Sequence, residues 1–62
     1  MQAKIGDVLV VESNAAEVHR REGDIVEVHG EDGRPPYVVK WHDGPQGLVF
    51  PGPDAHVVSR TD

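Results

Sequence analysis

The sequence predicts an all-β domain, and three observations carry that expectation. Its apolar set is dominated by eleven valines, joined by Ile5, Ile25, Leu9, Leu48 and three aromatics. β-Branched side chains fit a pleated surface better than a helix. The apolar residues fall in short runs, each bounded by glycine, proline or aspartate. The longest irregular stretch, Glu12 to Glu22, has no apolar stripe on which a helix could pack.

The chain has 62 residues and no cysteine, which is enough for one domain, residues 1–62. A domain of that size buries only about 60% of the surface its unfolded chain exposes, so every strand has to contribute to one core. Without thiols there is no disulfide framework and no thiolate metal site. Packing, short loops or self-association must supply the stability.

The first strand is expected at Val8-Leu9-Val10-Val11, opened by a Gly6-Asp7 turn. The same pairing, Gly23-Asp24, precedes Ile25-Val26-Glu27-Val28. Glycine reaches unusual φ values and aspartate bonds nearby amides, so both are read as turns. Between them, Glu12 to Glu22 is expected to be a loop, with Ser13 or Asn14 able to cap one or two helical turns. Gly30 to Gly33, stiffened by Arg34-Pro35-Pro36, makes a connection to Tyr37–Trp41. In that strand Tyr37, Val39 and Trp41 share one face, and Val38, Lys40 and His42 the other. Asp43 to Gly47 turns the chain into Leu48-Val49-Phe50, and Pro51-Gly52-Pro53-Asp54 breaks it before His56-Val57-Val58. Five short antiparallel strands, with a turn or 3-10 segment before the last, match a small SH3-like barrel whose final strand closes the sheet.

The stretch GDIVEVHGEDGRPPYVVKWHDG, followed by GLVFPGPDA, resembles a bacterial family of small proteins, the domain-of-unknown-function family numbered nineteen-eighteen. The most specific pieces are Pro35-Pro36-Tyr37, Trp41 with Asp43-Gly44, and Phe50 to Ala55. The resemblance implies an SH3-like barrel, alone or joined to other domains. It brings no activity, substrate or catalytic residue.

Tyr37, Trp41 and Phe50 are the candidate partner-binding residues, because flat rings on a small barrel can grip proline-rich or cationic peptides. The core competes for the same rings. So small a domain needs at least two of its three aromatics inside, and Trp41 is the expected exception. Arg20, Arg21, Arg34 and Lys40 are the candidate nucleic-acid contacts. Acids at Glu17, Glu22, Glu31 and Asp32 lie beside them, and the net charge of −5 repels a phosphate backbone.

His19, His29, His42 and His56 show no ligand spacing of two or four residues, so no metal and no cofactor are expected. Asp7, Asp24, Asp43 and Asp54 all stand in turn contexts, and no nucleophile with a partnered histidine is visible. The expected function is a noncatalytic module that binds a protein segment or partner domain. The alternatives are a nucleic-acid-associated regulatory barrel and a toxin-like small hydrolase, which would need His and Asp converging in a pocket. A homodimer is a further option, since a short last strand leaves an edge. The only apolar run near the amino terminus is four residues, far short of a membrane span, and a cytoplasmic protein is expected.

Overall fold

The valine-rich runs form five strands in one antiparallel sheet. The computed structural model describes residues 1–12 and 20–59. Its strands are β1 (Val8–Glu12), β2 (Arg20–Val28), β3 (Tyr37–Trp41), β4 (Gln46–Val49) and β5 (Ala55–Val58), with one 3-10 turn among the described residues, at Glu31–Gly33. The order across the sheet is β4-β3-β2-β1-β5. Leu9, Ile25, Tyr37 and Val39 form its fully buried centre, with Ala3, Val28, Val49 and Val57 packed against them. Each such aliphatic side chain stabilises the fold by about 1.5–3 kcal/mol relative to exposure. Val49 from one edge strand and Val57 from the other meet this same core, so the sheet is curled.

Curvature begins in β2. Ile25 pairs with Val39 and Glu27 with Val38, leaving Val26 as an extra residue in a bulge. Strict alternation would have turned Glu27 inward and Val28 outward. The bulge reverses that parity, so Val28 packs on the core while Glu27 stays exposed. Bulges also bend the strand and increase its twist.

The N-terminal segment is fastened to the other side of the core. Asp7 is buried, and its carboxylate accepts the Lys4 N–H at 3.1 Å in the turn where Gly6 takes φ 100°. The Gly33 carbonyl accepts two hydrogen bonds, from the Ala3 N–H and the Tyr37 hydroxyl, each at 2.7 Å. Burial first, and the nearby Asp7 carboxylate second, push the Tyr37 phenol above its ordinary pKa.

The structure corrects the expected fold in four places. The sheet is open, with β4 and β5 as its edges, and the last strand does not close it. The connection between those edges, residues 50–54, contains Pro51 and Pro53, which have no N–H to give to a ladder. The turn or 3-10 segment expected before the last strand is there as a turn, closed from the Ala55 N–H to the Gly52 carbonyl at 3.1 Å.

Gly23-Asp24 is not a turn but lies inside β2, which starts at Arg20. Phe50 falls just outside β4, which starts earlier, at Gln46. Of the expected loop, Glu12 belongs to β1 and Arg20 to Glu22 belong to β2. The Ser13 or Asn14 cap, Glu17 and His19 lie outside the described residues.

Candidate functional site

Gly23 is the origin of the site. It pairs with Trp41 across β2 and β3, and a methyl group there would collide with the Val39 side chain. It would also stand 3.0 Å from the Trp41 ring. Its missing side chain lets the indole lie close against the β2 backbone. Two residues earlier on the same face of the strand, Arg21 lays its guanidinium over that ring, with Cζ 4.2 Å from the centroid. Arg21 Nη2 also donates to Asp43 Oδ1 at 3.3 Å, in the β3–β4 connection.

A cross-strand row continues the floor. Val11 pairs with Arg21 on one side and with Ala55 on the other. Val49, Phe50 and Pro51 form the facing wall, and the result is an apolar groove of about 280 Å³. Asp54 stands at its margin. The wall is held in place because the Asp54 carbonyl accepts the Glu12 N–H at 3.0 Å. Phe50 is 74% exposed, the most exposed large apolar side chain among the described residues.

The three candidate aromatics therefore divide. Trp41 and Phe50 line one groove, whereas Tyr37 is fully buried in the core and presents no surface to a partner. The exposed aromatic is Phe50. Trp41, expected to be the exception, is half-buried and packs against the core, because Gly23 makes room for it.

The basic candidates do not gather into a patch. Arg20 donates to Glu12 and to Glu22, both at 2.7 Å. The hydrogen bond to Glu22, then that carboxylate's charge, hold its guanidinium above the usual range. Arg21 belongs to the aromatic groove. Arg34 lies in the β2–β3 connection and Lys40 in β3 opposite Asp24, both exposed.

A second, polar cleft, also about 280 Å³, is lined by Arg20, Arg21, Glu22, His42 and Asp43. Beside it His42 Nε2 lies 3.2 Å from Asp24 Oδ1, so one His–Asp pair is within hydrogen-bond reach. Among the described residues its lining holds no serine, threonine, cysteine or tyrosine to serve as a nucleophile. His29 meets Glu27 at 3.1 Å on the exposed surface. Among the described residues no three His, Asp or Glu side chains converge to hold a metal ion. Nor is any helix there long and apolar enough to cross a membrane.

Comparison with known proteins gives the chain's family. The model of a family described as a domain of unknown function, DUF1918, matches residues 1–57. The chain belongs to the DUF1918 family. An uncharacterized protein of Mycobacterium bovis is similar to this DUF1918 chain, 48% identical over 63 residues, covering all of the chain and 79% of the relative. An uncharacterized protein of Mycobacterium tuberculosis matches with the same identity and coverage. Another from that organism is 45% identical, over all of the chain and 72% of its own length. No solved structure matches the chain.

In this DUF1918 member the sequence motifs pointed to Trp41 and Phe50 but missed Val11, Val49 and Ala55 as groove walls. Those residues read as ordinary strand valines and alanine, and only the pairing register sets them beside the indole. Arg21 was readable in principle. It stands two residues before a glycine that pairs with the only tryptophan, which places a cation next to the ring once the register is known.

Proposed function

We propose that this chain is a noncatalytic binding module that takes a protein segment into the groove between Trp41 and Phe50. The observation that carries this reading is Phe50, three-quarters exposed on a proline-bounded connection and continuous with the partly buried tryptophan. Leaving such a ring in water forgoes its burial, and exposed apolar patches on small soluble domains mark interaction sites. Tryptophan and arginine are also the residue types that dominate binding energy when they sit at the centre of an interface. Here they are stacked on one another.

The charge distribution favours protein over nucleic acid. Arg20 and Arg21 already face Glu12, Glu22 and Asp43, and a chain of net charge −5 gains little from counterion release. The His42–Asp24 pair is the one observation that favours a hydrolytic alternative. Both residues are solvent-accessible, and such pairs on a surface contribute about 0–1 kcal/mol as ion pairs.

The test is capture from the source cell with the wild-type chain, with Phe50→Ala and with Arg20→Gln. The expected result is a protein partner retained at high salt by the wild type and by Arg20→Gln, and lost by Phe50→Ala. A partner that survives Phe50→Ala and leaves with salt contradicts the reading. Hydrolysis of RNA by the wild type that disappears in His42→Gln would replace it with the enzymatic alternative.

A further inference from the structure

The groove carries information about what enters it. Its apolar walls have one carboxylate at the margin, Asp54, which is exposed and makes no ion pair among the described residues. The other charges nearby are already engaged. Arg21 lies on Trp41 and reaches Asp43, while Glu12 and Glu22 are both taken by Arg20. A cation from a partner therefore meets the face of Trp41 occupied by Arg21, but meets Asp54 open. An acid from a partner meets no uncommitted cation among the described residues of the groove lining, and approaches a molecule of net charge −5.

Resting on the groove reading above, we infer that the occupant is a basic protein segment. It places an apolar or proline side chain against Phe50, Pro51 and Val49, and a neighbouring lysine or arginine on Asp54. The apolar anchor supplies most of the affinity, because burying the Phe50 ring removes a large apolar area from water. The Asp54 contact supplies the choice between basic and acidic sequences, since a rim charge sets specificity and encounter rate more than affinity.

A random dodecapeptide library displayed on phage, selected against the immobilised chain and counter-selected against Phe50→Ala, tests this. Phe50-dependent binders are expected to pair proline or aliphatic residues with adjacent lysine or arginine, and to be depleted in acids. The strongest of them is expected to bind Asp54→Asn about fivefold more weakly, the scale of one exposed ion pair. Far-UV circular dichroism and the unfolding midpoint check that both variants keep the fold. Phe50-dependent binders with no basic bias, or with equal affinity for Asp54→Asn, overturn the inference and leave the groove reading intact. If no binder depends on Phe50, both fall.

Discussion

At Gly23 an added methyl group would collide with Val39 and crowd the Trp41 ring and the Lys40 carbonyl, so the conservative change Gly23→Ala is a severe one. Urea unfolding of that variant is expected to show a loss of about 1–3 kcal/mol, the usual cost of overpacking, together with altered Trp41 emission. An unchanged midpoint would mean that the indole is not seated on this glycine. Tyr37 offers a second test, since it is the only tyrosine and its absorbance reports one phenol. Its folded pKa is raised, chiefly by burial, so the folded chain holds the proton more tightly than the unfolded chain. Stability is then fully present below the unfolded value of about 10 and declines as pH rises toward and through the folded value. Spectrophotometric titration is expected to place phenolate formation above that of free tyrosine and to coincide with alkaline unfolding. Tyr37→Phe removes the hydrogen bond to the Gly33 carbonyl, which keeps its bond from Ala3, and is expected to cost about 0.5–1.5 kcal/mol.

Among the elements, β3 and the 50–54 connection were the most readable in the sequence, and β2 the least. The alternation in Tyr37–Trp41 separated its two faces because both ring and valine follow the period of two, and the structure buries the face that carries Tyr37 and Val39. In β2, Gly23-Asp24 looks like the Gly6-Asp7 turn, but one glycine turns the chain at positive φ while the other clears space for an indole. Local composition does not separate those uses, because the neighbour that demands the space is eighteen residues away. The bulge at Val26 was hidden for the same reason: it becomes visible only against its partner strand. The 50–54 connection separates binding from stability. Phe50→Ala is expected to change the unfolding free energy by less than about 0.5 kcal/mol, as exposed substitutions do. Trp41→Ala, which empties a half-buried site against the core, is expected to cost about 2–3 kcal/mol, below the range for a fully buried tryptophan. Equal losses in the two variants would show that Phe50 also supports the core.

Taken as a whole, the molecule is a small, acidic, curled sheet that buries a minimal core and leaves one aromatic in water. The closed barrel expected from five strands and proline corners is an open sheet, with β4 and β5 as its two edges. Net charge was readable from composition, and it predicts that the chain does not retain duplex DNA or single-stranded RNA at physiological salt in a mobility-shift titration. Binding with a steep salt dependence would assign Arg34 and Lys40 a role that the groove does not give them. The groove itself is best interrogated through the only tryptophan, which lies in its floor under Arg21. Trp41 emission is to be followed while the strongest selected peptide is titrated into the wild-type chain and into Phe50→Ala. The account predicts a saturable blue shift in the wild type, as water leaves the indole, and affinity at least tenfold weaker in Phe50→Ala at an unchanged unfolding midpoint. Superimposable titrations in the two proteins, or binding that leaves Trp41 emission unmoved, would contradict it.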